Sequence, residues 1–596
     1  MKYYFSLLFI LFSFIIKAQS SSEIAESYFK NSDYAKASIY YKKAVKSTID
    51  FKNNYEHYRT SLIVLKEYKT LKKLSKRGIK SFPGNTIYFL DNIINLKIEG
   101  DIDNYNKAIN KYIKTVKKQK DLVLIGGSHL LKRKEIKKTT KLYLTSRKSI
   151  GKEYLYAFQL AEIYQNIEKI SPMVDEYINH LSYKPKEIEK IQNILQTELK
   201  NKELNLLIDK LYKKIQLSDK TIYPQLLIWA YLQQRDFYNA FIQERAIDKK
   251  QKLNGERLLN LAIICKENKE YQTRISIFEY LVKTYPRHYN YQLFQENLLK
   301  AKQQKAISVY PINTIALQKI LQEYLTLEKT VNNPQQKASI SLDIAKIYGY
   351  YLNEVNKAIN KLKNIQADRR IRLNMRNKIK LELADLYLFQ DDSQASLLYF
   401  QIAKSMKETE LGQLAKLKNA KYFYYQGDFQ LAKSQLDVLK HATTRKISND
   451  AIDLSVLIQN NYELDTSAIA LQTFSKADFY IYQHKYTQAE NIYKRMLKTY
   501  PGHTLTDEIY WKIAQLNINM NKYQETEKFY LKIIKEYGED ILADDAVFNL
   551  AQLYETRLLD KNKAQEMYKK ILFEYRGSIY LDQSRKKFRE LRGDKL

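Results

Sequence analysis

Along most of the chain apolar residues return every three or four positions, the spacing of one buried stripe on an α-helix. The segment ADFYIYQHKYTQAENIYKRMLKTYP, which starts at Ala477 and ends at Pro501, contains one complete unit. Ala477 and Tyr480 share a face of a first helix, QHKY around His484 and Lys485 breaks it, and Ala489, Tyr493, Met496 and Leu497 form one stripe of a second helix. The pattern predicts a helical hairpin that crosses closely at Ala477 and Ala489, with Tyr493 filling the wider gap toward the next hairpin. A large side chain at either alanine would cost about 1–3 kcal/mol through overpacking. The unit then stops: Pro501 has no amide proton and biases Tyr500 away from helical angles, Gly502 permits a reversal, and Thr506 with Asp507 and Glu508 opens the next helix.

The unit recurs. Tyr493, Tyr530 and Tyr568 lie 37 and 38 residues apart, as do Tyr500, Tyr537 and Tyr575, while Ala477, Ala514 and Ala551 are each 37 apart. A period of this length signals stacked helical hairpins. KTYPRH, beginning at Lys283, mirrors KTYPGH, beginning at Lys498, and His288 and His503 are expected to cap or solvate the turn.

These residues resemble the tetratricopeptide repeat (TPR). The match is good at Ala25, Tyr28, Tyr34, Ala37, Tyr41 and Ala44 and again from Ala477 to Pro501, and fair at Ala262, Tyr271 and Phe278, at Ala384, Ala395 and Tyr399, and at Ala420, Phe429 and Ala432. Elsewhere the units drift; Ile228 stands where the first small residue belongs, although Phe237 and Ala240 hold their places. The last three units look similar to the repeats of exported bacterial envelope proteins, namely the lipoprotein of the outer-membrane barrel-assembly machine and the periplasmic coordinator of cell division. The resemblance implies an all-α fold, an α-solenoid superhelix of TPR-like hairpins, whose concave groove binds protein partners and which is not an enzyme.

Composition agrees with an all-helical reading, because 14 Gly and 8 Pro in 596 residues are too few for the turns of an all-β protein. Pro311, in AISVYPINTIAL, interrupts two helical patterns, so the expected segments are 19–308 and 311–596. Before them, Lys2, an apolar run from Phe5 to Ile16 and Lys17-Ala18-Gln19 read as a secretory signal peptide, 1–18; twelve residues fall short of the roughly 20 that span a membrane. The expected location is therefore the periplasm, peripheral to the outer membrane. The one cysteine, Cys265, excludes an intramolecular disulfide and sits in a segment that reads as buried packing.

The formal charge of +34 is uneven. Residues 107–152 carry a net +13, whereas 471–596 carry only +4. Lys132, Arg133, Lys134, Lys137 and Lys138 are thus candidates for holding an anionic glycan or lipid, the alternative being a solvated outer face. The second candidate site is Phe474, Trp511 and Phe548, spaced 37 and 37, each three residues before a small alanine. In the family that register lines the groove, so the three rings, with Asp478, Gln515, Gln552 and Glu555 alongside as hydrogen-bonding groups, are expected to grip an envelope protein or peptide. Packing between hairpins is the competing use of the same rings.

Catalytic and cofactor chemistry finds no motif. Gly126-Gly127 lacks the partners of a phosphate loop and reads as a close helix contact; the seven histidines are scattered, so no metal site is expected, nor any cofactor, small-molecule substrate or nucleic acid. Ser27-x-x-Lys30 lacks a companion Lys-Thr-Gly box. Asp450 and Asp453 share a helix face, but with no second acid nearby in sequence they read as a solvated surface.

Overall fold

The computed structural model describes residues 20–441, 444–463 and 468–592; the expected signal segment, 1–18, lies outside them. Among the described residues there are 32 α-helices and no strand, and nearly every helix packs on its neighbour in sequence. Contacts also link each helix to the one after next in many places, for example Ser21–Lys30 with Thr48–Val64 and Leu373–Phe389 with Glu410–Gln426. Within each of the two units described below this is a stack of hairpins, burying apolar stripes against one another. No helix among the described residues is long and apolar enough to cross a membrane.

Contacts divide the chain into two units, one ending at Asp236 and one beginning at Phe237. The break expected at Pro311 falls inside the second unit, where Tyr291–Ile307 and Thr314–Thr330 pack directly on each other across it. A proline in a turn between two packed helices interrupts the periodicity without separating cores.

The small positions predicted from the repeat are closed. Ala25, Ala37, Ala384, Ala477, Ala489, Ala514 and Ala551 are fully buried, and so are Tyr41, Tyr399, Tyr493, Tyr530 and Tyr568. Each of these tyrosines must satisfy its hydroxyl, and the stack solves this in a repeated way. In four of the five the residue following the small alanine is the partner: Tyr41 donates to Glu26 at 3.0 Å, Tyr399 to Asp385 at 2.5 Å and Tyr493 to Asp478 at 2.6 Å, while Tyr530 accepts from Gln515 at 2.8 Å; Tyr568 donates instead to Glu555, four residues after Ala551, at 2.7 Å.

The turns repeat as well. Ser32, Lys66, Lys134, Lys269, His484 and Asn521 all adopt positive φ, and in each case the second helix of a hairpin starts two residues later. Gly100 and Gly427 occupy the same place at no steric cost. After the second helix, Tyr285 and Tyr500 end their helices with φ of −121° and −125°. The twin histidines then cap the reversal identically: His288 Nδ1 accepts from the Asn290 amide at 3.0 Å, and His503 Nδ1 from the Leu505 amide at 3.1 Å.

Candidate functional site

Hairpins alternate regularly up to the helix Phe429–Leu439, where the rhythm breaks. An additional helix, Arg445–Ile458, followed by a π-helical turn at Gln459–Glu463, stands before the next hairpin begins at Ile469. The stack passes it by: Glu410–Gln426 packs directly on Ile469–Tyr482. Ile447, Ala451 and Ile458 bury one face of the additional helix in the shared core with Phe429 and Leu436. Its adjacent face, with Asp450, Asp453, Leu454 and Leu457, looks across open space at the stack.

That space is a cavity of about 1640 Å³. The first helices of successive hairpins form its far wall, contributing Lys421 and Tyr425, Asp478 and Tyr482, Glu508 and Trp511, and finally Asp545. One end is pinned where Thr504 Oγ1 donates to Asn461 Oδ1 at 2.6 Å, joining the Tyr-Pro-Gly-His turn to the π-helical turn. The cavity inverts the charge of the chain: eight carboxylates line it against two lysines. Lys512 is already committed, its Nζ 2.7 Å from Asp478 Oδ1, and Lys421 reaches only Asp450, at 4.0 Å.

Crowding leaves its mark on the acids. Burial, with help from Asp450, pushes the Asp453 carboxyl above the usual range. Asp545 is raised by burial too, and the charges of Asp544 and of Asp453 add to the effect. Glu508 is pushed up by burial, by its hydrogen bond and charge contact with Asp507, and by Asp540; its Oε2 is buried without a hydrogen-bond partner. Acids of the additional helix and of the helix Ala543–Leu553 therefore oppose each other through Asp453 and Asp545, and those of Thr506–Asn519 and the turn before Ala543 through Glu508 and Asp540.

The expected aromatic row is only partly present. Trp511 is half-buried on the cavity wall, its ring 5.5 Å from that of Tyr530. Phe474 touches the cavity but is fully buried against Tyr493 and beneath Lys512. Phe548 is away from it, buried and stacked on Tyr580 at 4.1 Å. The equal spacing is real, but it serves packing between hairpins at two of three positions. The neighbouring polar groups are likewise engaged. Asp478 accepts from Tyr424 and Tyr493, Gln515 donates to Tyr530, Glu555 accepts from Tyr568 and pairs with Lys587, and Gln552 lies half-buried outside the cavity.

The basic tract is also altered by folding. Arg133 is not available to an anion: its guanidinium holds Asp91 at 2.8 Å and Glu56 at 2.8 Å. Asp91 is completely buried and also meets Tyr55, His129 and Arg59, so this is a structural ionic core. Lys132 pairs with Glu56 at 3.4 Å and Lys138 donates to Asn106 at 2.6 Å, whereas Lys134 and Lys137 are exposed. Gly126 and Gly127 are buried helix contacts, as their spacing implies. Among the described residues no group of three His, Cys, Asp or Glu is placed to hold a metal ion.

No protein-family model and no curated protein matches the chain. Among solved structures it is similar to Naa15/Naa10 bound to HypK-THB, at 10% identity over 96% of each chain with a TM-score of 0.28. It is similar to a tetratricopeptide repeat protein from Parabacteroides merdae at 12% identity, covering 57% of this chain and 99% of that one, with a TM-score of 0.19. The APC/C hetero-tetramer Cut9-Hcn1 aligns at 12% identity over 89% and 95% of the two chains, with a TM-score of 0.23. At such scores the TPR-like character of this chain rests on its own hairpins, with alanine at the crossings and tyrosine in the gaps.

Proposed function

We propose that this chain is a non-catalytic binding protein whose second unit holds an extended segment of a partner protein in the cavity between Arg445–Ile458 and the row of first helices. The observation that carries this reading is the 1640 Å³ concavity built by adding one helix to an otherwise regular stack. It exceeds the roughly 300–1,000 Å³ of small-molecule pockets, and stacked hairpins offer extended concave surfaces suited to chains. Its wall offers half-buried rings, Tyr425, Tyr482 and Trp511, beside the exposed Ile452. Thr504 Oγ1 lies 3.4 Å from His503 Nδ1, but the hydroxyl donates to Asn461 at 2.6 Å and Nδ1 accepts from the Leu505 amide at 3.1 Å, so the pair is not arranged as nucleophile and base.

A photo-crosslinking residue at Leu457, inside the cavity, tests the reading against one at Tyr238, exposed elsewhere in the same unit. A discrete partner should be caught from the first position alone and lost with Trp511→Ala. Equal capture from both, or capture indifferent to Trp511, refutes it. Export supplies the finer part of the proposal: the apolar run from Phe5 to Ile16 and the resemblance of the last repeats to envelope proteins support a periplasmic role with envelope partners. Amino-terminal sequencing of the protein recovered from cells should begin at Gln19; an intact Met1 in the soluble cytosolic fraction would refute export.

A further inference from the structure

The cavity's lining identifies the chemistry of what it takes. We infer that the occupant is a cationic segment, an extended stretch of a partner protein bearing Lys or Arg side chains, which enter among Asp453, Glu508, Asp540 and Asp545 and lie against Tyr425, Tyr482 and Trp511. This rests on the preceding reading that the cavity receives a partner's segment.

Three observations converge. The first is charge: a chain of formal charge +34 concentrates eight carboxylates around one space, and the turn 537–542 and the helix Thr506–Asn519 supply four of them. Salt screens charges beyond about 8–10 Å, so an entering cation senses this local field rather than the distant lysines. The second is incompleteness. Elsewhere in the second unit half-buried acids on the first helices have lysine partners: Asp343 has Lys300 at 3.5 Å, Glu382 has Lys346 at 3.5 Å and Asp385 has Lys418 at 2.9 Å. On the cavity wall Glu508 has no such lysine, its buried Oε2 accepts no hydrogen bond, and a cation seated there would release the proton that burial and Asp507 hold on it. The third is the aromatic surface beside the acids. Aromatic faces attract ammonium and guanidinium groups, and the pairing of rings with carboxylates suits Lys and Arg better than an apolar or anionic segment.

The test uses the intact protein carrying Trp229→Phe, so that Trp511 is the remaining tryptophan of two and reports on the cavity. The probes are decapeptides alternating Lys or Arg with Tyr, and the same sequences with Glu or with Ser in place of the basic residue. At 0.15 M salt the basic peptides should change Trp511 emission saturably, while the acidic and neutral ones should not. Asp453→Asn with Glu539→Gln and Asp540→Asn, all at exposed carboxylates, should weaken binding about ten-fold while far-ultraviolet circular dichroism and Tm stay unchanged. Asp453→Glu should retain it. Binding of the neutral peptide as tightly as the basic one, lost only with Leu457→Asp, would overturn the cationic inference and leave the groove reading standing. Basic-peptide binding unaffected by the triple variant would overturn the inference. Self-association in the absence of peptide, abolished by the triple variant, would assign the cavity to a second copy and overturn it too. Failure of the Leu457 crosslink described above strikes the groove reading itself.

Discussion

Two neighbouring glycines allow the close-packing argument to be tested with opposite outcomes. Gly126 and Gly127 lie in mid-helix, within Lys120–Lys132, where replacing glycine by alanine alone would gain roughly 0.5–1 kcal/mol of helix propensity. The neighbours oppose it. A Cβ on Gly126 would lie 2.3 Å from the Tyr112 hydroxyl but 3.2 Å from Cζ and 3.4 Å from Cε1. A Cβ on Gly127 would lie 2.3 Å from the Tyr143 hydroxyl and also 2.4 and 2.5 Å from Cζ and Cε1. Tyr143 is 1% exposed and stacked on Tyr156, so its ring has nowhere to retreat. Overpacking of about 1–3 kcal/mol therefore outweighs propensity at both positions. Thermal unfolding of the intact chain, followed at 222 nm, should fall by about 2–6 °C for Gly127→Ala and less for Gly126→Ala. Removing a hydroxyl separates the two. Tyr112→Phe gives up one long hydrogen bond to the Leu122 carbonyl, worth about 0.5–1 kcal/mol, and should cancel the Gly126→Ala penalty. Tyr143→Phe should not rescue Gly127→Ala, because the ring carbons remain in the way. Equal rescue in both pairs, or a stabilising Gly127→Ala, would refute the reasoning.

Other predictions follow from buried ionisable groups. Asp91→Asn leaves the Arg59 and Arg133 guanidiniums without their buried counter-charge, and should destabilise the first unit by about 3–5 kcal/mol, read as loss of hydrogen-exchange protection around 88–133. The ion partners hold the Asp91 carboxyl below the usual range, so its contribution is complete above about pH 4 and disappears as pH falls toward the depressed value. Glu508 runs the other way. Its carboxyl is raised, so the folded state keeps a proton that the unfolded chain releases above about pH 4.5, and stability declines as pH rises through that window. Glu508→Gln should gain about 1–2 kcal/mol in chemical denaturation at pH 7 and nothing at pH 4; a gain independent of pH would refute it. Cys265 is buried and its thiol is pushed up to about 12, so maleimide should label it only after denaturation, and rapid labelling of the native protein would contradict the packing.

The hairpins were legible because their determinants are local and recurrent. Alanine at a crossing, tyrosine fifteen to seventeen residues on, and a Tyr-Pro stop each act within one unit, and the structure buries Ala477, Ala489 and Tyr493 accordingly. The partner of the tyrosine hydroxyl was not legible. Asp478 and Gln515 look like surface groups in one dimension, and only the fold of the hairpin brings them to Tyr493 and Tyr530. The acidic cavity was missed for the same reason: Asp450 and Asp453 find their companions roughly 55 to 95 residues away, in Asp507, Glu508, Asp540 and Asp545. One signal did announce the additional helix. Ala384 and Ala420 are 36 residues apart and Ala477 and Ala514 are 37 apart, but Ala420 and Ala477 are 57 apart, a surplus of about one helix and its turns.

Because Glu410–Gln426 meets Ile469–Tyr482 without the intervening helix, the load of the architecture runs past Arg445–Ile458 rather than through it. That helix behaves as a replaceable jaw. Exchanges at Asp450, Ile452, Asp453 or Val456 can retune what is gripped while the spine behind stays unstrained, so recognition is free to diverge at a site where the scaffold itself has little to lose.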